Sequence, residues 1–376
     1  MNSYLFIILG RPQKTNPNAL ATRVYKRMDH LIKTRKNVLT VKSNSSNKYI
    51  VFSDFHRGLS DKADDFKPQN RKSYVQALSY YFNKGYTLIH LGDVEELKEQ
   101  FIFKKVVNHK PNRPLLTNEK IFFNNNRYLK VFGNHDSQWG RKKNVRKHLH
   151  PHFPNLKVYE GIILEFDNAP NVMLVHGHQG YSWIKTNVAE KLVLPFYKFG
   201  LNFLGISRKV NYDSYCKIEK TEGEFYEWTK DQDDLILIFG HTHRPLWGSS
   251  THIDNLEKQL DKKRKELTEI ASQNNVSIRE IIRKAASFGA IPLIDSIKSI
   301  IEKIKKKMSE SGLCRAPLPL PILFNTGCCI FDDGDITGIE LADGQLQLVK
   351  WGAEENGSIA REVLESDALD SFRLPV

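Results

Sequence analysis

Five short clusters of Asp, Asn, His and Gly are the residues of this sequence best suited to chemistry. Each follows a short apolar run, and several place two polar residues two positions apart. Side chains two positions apart on an extended chain point to the same side, so such a pair can reach one metal ion. The clusters are Asp54-x-His56, Gly92-Asp93-x-x-Glu96, Gly133-Asn134-His135-Asp136, His176-Gly177-His178 and Gly240-His241-Thr242-His243.

Each cluster alone is weak evidence for a metal site. A DxH triplet arises by chance, a Gly-Asp pair is often a turn, and a histidine after a strand is often a core residue. Five strand ends that all offer carboxylate, amide or imidazole groups are costly as structure alone, because buried carboxylates without partners destabilise a fold. Bound cations explain such a cluster best.

In this order the five clusters resemble the motifs of the calcineurin-like metallophosphoesterase family. The resemblance covers roughly residues 48–247 and the β segment at 321–351. It implies two metal ions, with Asp93 bridging them. The ligands it implies are Asp54, His56 and His243 for one ion and Asn134, His176 and His241 for the other.

The ligand types also bear on the metal and the reaction. Mixed carboxylate, amide and imidazole sites suit Mn, Fe or Zn, and Mn is the metal we expect. Two such ions ~3.5–4 Å apart lower the pKa of a bridging water, so the expected nucleophile is hydroxide held between them. His135 would protonate the leaving oxygen, with Asp136 orienting its imidazole. The alternative is that His135 only supports a metal ligand.

The endings Gly-His-Thr-His-Arg-Pro and Gly-Asp-x-x-Glu resemble one branch of the family. That branch contains UDP-2,3-diacylglucosamine pyrophosphohydrolase. It usually has Arg where this chain has His135, which gives GNRD rather than GNHD. The mechanism of a general phosphodiesterase therefore fits this sequence at least as well as that of the pyrophosphohydrolase branch.

Positive residues beside the motifs are candidates for holding substrate phosphates. Arg57 follows the first motif, Arg244 follows the last, and Arg141, Lys142 and Lys143 lie close after the third. Arg and Lys in these places would bind the phosphates that flank the scissile bond. The alternative is that these residues only form a basic face exposed to solvent, which would give the same sequence pattern.

The clusters can meet only if the strands before them end at one edge of a sheet. Residues 69–85 have helical apolar spacing, end at Gly85 as in a helix C-cap, and lie between two β-rich runs. Strand, helix and strand in that order indicate an α/β fold, in which ligands gather at the carboxyl ends of strands. The resemblance implies a metallophosphoesterase-type β-sandwich flanked by helices.

Other segments lie outside this repeated pattern. Residues 190–206 are apolar nearly all round, which fits a buried cap or contact with an acyl chain or a membrane surface. Residues 251–312 have the spacing of a helical hairpin, with Gly289 and Pro292 splitting its second half, and could join two copies of the chain. The expected units are a basic lead segment (1–45), a catalytic domain (46–250 and 315–352) with a helical cap (179–233), an inserted hairpin (251–314) and a C-terminal tail (353–376).

Composition limits the partners and the compartment. The 376 residues carry a formal charge of +13, which suggests a polyanion such as nucleic acid, a phosphorylated metabolite or an anionic membrane surface, unless the whole proteome is lysine-rich. The four cysteines have neither disulfide-framework nor CxxC spacing. The apolar run at 4–10 is far shorter than a membrane span. We expect a cytoplasmic chain that could contact a membrane peripherally.

Three functions remain open from the sequence. The first is a phosphoesterase acting on a nucleotide-linked or lipid-linked pyrophosphate. The second is a phosphodiesterase or nuclease, with residues 1–45 and 140–147 along the nucleic-acid backbone and Trp139 stacking on a base. The third is a scaffold that keeps the metal site while the hairpin binds a partner.

Overall fold

Strands and helices alternate along most of the described chain. The computed structural model describes residues 17–60, 65–97, 103–180, 212–285, 287, 289–311, 320–354 and 356–373. The strands are β1 (Val38–Ser43), β2 (Tyr49–Phe52), β3 (Thr87–Leu91), β4 (Tyr128–Val131), β5 (Val158–Tyr159), β6 (Gly161–Phe166), β7 (Asn171–Val175), β8 (Leu235–Phe239), β9 (Leu246–Trp247), β10 (Ser250–Thr251), β11 (Leu323–Asn325), β12 (Ile336–Ala342), β13 (Gln345–Ala353) and β14 (Ile359–Ala368). The α-helices are α1 (Pro17–Thr34), α2 (Pro68–Asn83), α3 (Phe103–Asn108), α4 (Arg113–Asn124), α5 (Lys142–Asn144), α6 (Tyr212–Lys230), α7 (His252–Gln273), α8 (Ile278–Arg283) and α9 (Ile291–Ser311). Short 3-10 turns cover Lys110–Asn112, Ser137–Gly140 and Leu369–Phe372, and Val145–Leu149 is a π-helix.

The strands of the described chain form two seven-stranded sheets. One has the order β1-β6-β7-β8-β11-β9-β10, and the other has the order β14-β13-β12-β2-β3-β4-β5. Strands β2 to β5 run parallel, as do β7, β8 and β11, whereas β12 to β14 are antiparallel. The fold is mixed α/β with two sheets flanked by helices, which confirms the fold class predicted from the sequence.

The sheets pack face to face because their strands are apolar on both sides. Val51 and Ile89 of the second sheet share a buried core with Ile162 and Leu174 of the first. The outer face of the second sheet packs against α2, α3 and α4. The outer face of the first packs against α1 and α6. The layers are therefore helices, sheet, sheet and helices.

The amino-terminal segment belongs to the catalytic fold rather than preceding it as a separate lead. Val24, Met28 and Leu31 of α1 are fully buried in the core beside the first sheet. The indole Nε1 of Trp228 in α6 donates a hydrogen bond to Asp29 of α1, at 3.0 Å. Strand β1, which the sequence did not predict, pairs in parallel with β6. The expected boundary at residue 45 is therefore wrong for the described residues, while the apolar run at 4–10 lies outside them.

The carboxyl-terminal residues also differ from their expected role as a tail. Strand β14 pairs with β13 along its length and forms the edge of the second sheet. Leu369 and Phe372 beyond it are buried in the core between the sheets. Alternating hydrophobicity in 359–368 is weak, because the strand lies at an edge and most of its side chains are only half-buried or exposed.

The inserted segment forms helices, as its apolar spacing predicts. Helices α7 and α9 pack together through Leu260 and Ile300, in a small core separate from those of the sheets. The second half of the hairpin is split, because α8 ends at Arg283 and α9 begins only at Ile291. Within the described chain, no helix is both long and apolar enough to cross a membrane. Residues 190–206, the expected lipid-contacting part of the cap, lie outside the described residues.

The packing of α1 predicts that its apolar face stabilises the catalytic fold. Leu31→Ala removes a fully buried side chain, so it should lower the free energy of unfolding by about 2–5 kcal/mol. Lys26→Ala on the exposed face of the same helix is the control and should change it by less than about 0.5 kcal/mol. Urea denaturation measures both. Equal stability of the two variants would show that α1 is only a lead segment.

Candidate metal centre

The predicted metal ligands lie in loops at the carboxyl ends of five strands. Because β2, β3 and β4 of one sheet and β7 and β8 of the other end at the same edge, their following loops meet. Backbone hydrogen bonds join these loops: Asp54 N donates to Gly92 O at 3.2 Å, and Gly240 N donates to His176 O at 3.0 Å. Strand β2 is followed by Asp54 and His56, β3 by Asp93, β4 by Asn134 and His135, β7 by His176, and β8 by His241 and His243.

Several of these ligands have a backbone conformation that is rare for residues other than glycine. Such left-handed residues each cost of order 1–3 kcal/mol and cluster at functional sites. The tightly turned backbone brings two side chains of one loop towards one point. The residues and their φ angles are Asp54 (55°), His56 (45°), Asp93 (51°), His241 (68°) and His243 (60°).

Two motif glycines leave room for ligand side chains. A Cβ at Gly92 would stand 2.6 Å from Nδ1 of His176, and a Cβ at Gly133 would collide with Oδ1 of Asp93. Gly92 also has a φ of 88°, which L-residues with side chains rarely adopt. Glycine is therefore required at both positions by the close approach of neighbouring motifs.

Asp54, His56 and His243 form one group of potential ligand atoms, all within 4.8 Å of one another. Oδ1 of Asp54 lies 3.2 Å from Nε2 of His243 and 3.8 Å from Nε2 of His56. The other oxygen, Oδ2, accepts hydrogen bonds from the Ser53 hydroxyl and from His241 N. Buried Oδ1 accepts no hydrogen bond from the described residues, so a cation bound between these groups would satisfy it.

Asp93, His176 and His241 form a second such group. Nε2 of His176 lies 3.1 Å from Oδ2 of Asp93 and 3.1 Å from Oδ1 of Asn134. Its Nδ1 lies 2.8 Å from the backbone oxygen of Leu91, and a hydrogen bond there leaves Nε2 free to bind a metal. Oδ2 of Asp93 is also 3.8 Å from Nε2 of His56. Asp93 therefore lies between the two groups.

The carboxylates and histidines of the centre shift one another's pKa values. Burial opposes ionisation of Asp54, but His243 and His176 hold the pKa of this carboxyl well below its usual range. Burial also disfavours a charged His176, yet Asp93 and Asp54 raise its pKa to about 9. Burial and the charge of His176 lower the pKa of His241 to about 3. A cation binding here would replace the proton of His176 as the charge that balances the carboxylates.

The donor set fits divalent metal ions. It combines carboxylate, amide and imidazole groups, which suit Mn, Fe or Zn better than Mg or Ca. A buried carboxylate oxygen without a hydrogen bond, next to two imidazole nitrogens, is the arrangement that a bound cation would complete. The structure thus brings together every metal ligand expected from the sequence.

Glu96, rather than Asp136, contacts the imidazole of His135. Nδ1 of His135 lies 2.5 Å from Oε2 of Glu96, and the same oxygen lies 3.3 Å from Nδ1 of His56. Burial would raise the pKa of Glu96, but its hydrogen bonds with His135 and His56 lower it to about 2. Glu96 was part of the motif in the sequence, but the sequence did not reveal which histidines it contacts.

Asp136 instead ties two ligand loops together. Its Oδ1 accepts a hydrogen bond from Gly133 N at 2.6 Å, and its Oδ2 accepts one from Val94 N at 3.0 Å. Burial, with the charges of Glu95 and Asp93, raises the pKa of its carboxyl to about 7 despite the opposing charge of Lys130. The expectation that Asp136 orients His135 is therefore wrong, because both of its oxygens bond to backbone amides.

Arg57 is a buried structural residue rather than a group facing the substrate. It is only 2% exposed, and its guanidinium donates to Glu119 and Glu95, each at 2.7 Å. Glu95 also accepts hydrogen bonds from Lys130 at 3.0 Å and from the indole of Trp139 at 3.0 Å. Although burial opposes it, Lys130 and Arg57 lower the pKa of Glu95 to about 2. Burial and pairing keep Arg57 away from any substrate.

The remaining predicted phosphate-binding residues fall into two kinds. Arg244 is paired with buried Glu222 of α6, which also accepts a hydrogen bond from Thr242 at 3.2 Å. The charge of Arg244 is thus largely balanced by Glu222 within the protein. Arg141, Lys142 and Lys143 are exposed in the segment after His135.

Fold and site together define a domain of the phosphoesterase type with a candidate metal centre. The calcineurin-like phosphoesterase family model matches residues 48–259, more than half of the sequence, and the chain belongs to this family. The family uses divalent metal ions and phosphate-containing substrates. Among curated proteins, none matches the chain.

Two solved structures are similar to the chain at a low level. A single mutant of Vps29 from Entamoeba histolytica is 12% identical, with 84% of this chain and 98% of that chain covered and a TM-score of 0.28. Vacuolar Protein Sorting 29 from Cryptosporidium parvum is 11% identical, with 86% and 98% covered and a TM-score of 0.31. Both scores are too low to bear on function.

The buried network around Arg57 predicts a stability effect. Arg57→Met leaves Glu95 and Glu119 without their shared partner, so it should lower the free energy of unfolding by about 3–5 kcal/mol. Arg141→Met, an equal change at an exposed position, should alter it by less than about 0.5 kcal/mol. Chemical denaturation compares the two. A raised KM with unchanged stability in Arg57→Met would instead show that Arg57 binds substrate.

Proposed function

We propose that this chain hydrolyses a phosphodiester or pyrophosphate bond with the help of two divalent metal ions, of which Mn is the first choice. The observation that carries the proposal is the position of Asp93. Its Oδ2 lies 3.1 Å from Nε2 of His176 and 3.8 Å from Nε2 of His56, so one carboxylate faces both ligand groups. A carboxylate in this position could bind two closely spaced metal ions at once.

The two ligand groups would divide the metal ions between them. Asp54, His56 and His243 would hold one ion, and Asn134, His176 and His241 the other, with Asp93 between them. When bound, such ions activate a water molecule and stabilise the charge that develops on the phosphoryl group. The buried ligand set leaves the open side of the centre near His135 and His243, whose side chains are 19% and 37% exposed. Substrate would approach from that side.

His135 is the candidate general acid on the open side. Because its Nδ1 contacts Glu96, its Nε2 is the nitrogen available to give a proton to the leaving oxygen. Glu96 would hold the orientation of the ring through this contact. The histidine also distinguishes this chain from the branch with Arg at this position, so we favour a general phosphodiesterase over a pyrophosphohydrolase of acylated nucleotide sugars.

Loss of the shared carboxylate should remove metal-dependent hydrolysis. Asp93→Asn should reduce turnover of bis-p-nitrophenyl phosphate with Mn by more than about 100-fold, which exceeds the loss usual for residues outside the ligand set. Calorimetric titration should also show fewer Mn ions per chain than in the unchanged protein. Asp233→Asn, an equal change at an exposed carboxylate, is the control. Unchanged turnover in Asp93→Asn would contradict the proposal.

The role of His135 predicts a dependence on the leaving group. His135→Gln should slow hydrolysis of a diester with an alkyl leaving group by about 10²–10⁴-fold. It should slow hydrolysis of a p-nitrophenyl diester much less, because p-nitrophenolate leaves without protonation. Rates with both esters test this difference. An equal loss with both would assign His135 to support of the metal ligands.

A further inference from the structure

Residues 103–157 form a basic surface on which the described residues place no exposed acid of this stretch. The only acids of this stretch, Glu119 and Asp136, are both fully buried. The exposed cations, named the basic face, form no ion pair with any acid of the described chain. They are Lys104, Lys105, Lys110, Arg113, Arg141, Lys142, Lys143, Arg146, Lys147 and Lys157.

The basic face borders the loops that carry the metal ligands. Asn112 Nδ2 donates to the backbone oxygen of Gly58 at 2.9 Å, which joins the first part of the face to the loop after His56. The second part follows His135 directly along the chain. Phe103 and Trp139 join the two parts, with ring centroids 4.7 Å apart. A ligand lying on this face would therefore lie beside the metal centre.

The spread of these cations fits a polymer of phosphates better than a single phosphate. They lie on α3, the turns and helices that follow it, and the segment after His135, so they do not converge on one point. Repeated phosphates can each neutralise one Lys or Arg and release bound counterions, which provides affinity without sequence recognition. Within the described residues these cations have no ion pairs that would have to break before phosphates bind.

Apolar groups needed for a membrane are scarce on this face. Its one large apolar side chain that is exposed in the described residues is Ile121. Membrane-surface segments bury an apolar face between the headgroups, which this surface lacks. Trp139 is buried with its indole bonded to Glu95, so it is unavailable for base stacking, contrary to the sequence hypothesis. We therefore expect the basic face to contact a nucleic acid mainly through its phosphate backbone.

We infer that the basic face binds the sugar–phosphate backbone of a nucleic acid and presents a phosphodiester to the metal centre. This inference rests on the proposed function and names its substrate class. In the reaction, the oxygen of water bonds to phosphorus, the bond from phosphorus to the sugar oxygen breaks, and that oxygen leaves with a proton. The second proton of water passes to solvent.

The test measures binding apart from cleavage. Labelled strands of about 20 nucleotides, as single-stranded DNA, single-stranded RNA and duplex DNA, are titrated with the Asp93→Asn chain between about 50 and 200 mM KCl. The variants are Lys104→Ala with Lys105→Ala, and Arg146→Ala with Lys147→Ala. Lys262→Ala with Lys265→Ala on α7 removes the same charge from exposed positions of the hairpin. Melting temperatures check that each variant is folded.

We expect each pair of changes on the basic face to weaken binding and to reduce the slope of log affinity against log salt by about 1.4 for single strands. The hairpin control should bind like its parent. With Mn and without the Asp93→Asn change, the chain should cut the strand type that it binds. Equal effects of the face and hairpin variants would overturn the inference, as would binding to phosphatidylglycerol vesicles but to none of the nucleic acids.

Two failures can be told apart. If bis-p-nitrophenyl phosphate is hydrolysed but bound nucleic acid is not cut, the proposed function stands and the substrate assignment is overturned. If neither is hydrolysed with any divalent metal while the face variants still weaken binding, the proposed function fails and the binding role of the face is supported.

Discussion

Two carboxylates, Asp54 and Asp93, are fully buried where the two sheets meet, and most of the site is arranged around their charge. Burying an ionised carboxylate is very costly unless it is paired or binds a metal. The histidines supply part of the compensation, as the raised pKa of His176 shows. Backbone amides supply more, since His135 N donates to Oδ1 of Asp93 at 2.7 Å. Divalent cations would complete it.

A second group of buried charged residues, around Arg57, connects the loops that carry the metal ligands. Arg57 follows the ligand His56 by one residue, while Glu95 follows Asp93 by two, and the two side chains pair at 2.7 Å. Glu119 of α4 and Lys130 of β4 bond to this pair. Buried ion pairs do not necessarily stabilise a fold, but they strongly disfavour any arrangement that separates their members. The network therefore holds the first three ligand loops in a single relative position.

The sequence predicted features that depend on neighbouring residues better than features that depend on residues far apart in the chain. Asp93 and His243 became candidate ligands because each follows an apolar strand and belongs to a motif order that resembles the family, and both signals can be read along the chain. The partners of Arg57 and His135 were not found, because Glu119 and Glu96 reach them only through the tertiary fold. A basic residue next to a motif looks the same in sequence whether it faces a substrate or a buried carboxylate. Only its surroundings separate Arg57 from Arg141.

The burial of α1 also constrains how the chain can fold during synthesis. The hydrogen bond between Asp29 and Trp228 joins residues 199 positions apart, and that between Tyr25 and Asp231 joins residues 206 apart. Helix α1 is synthesised long before α6, so the side of α1 that packs on α6 stays exposed until that helix has been made. Contacts of such long sequence separation slow folding and leave intermediates prone to aggregation.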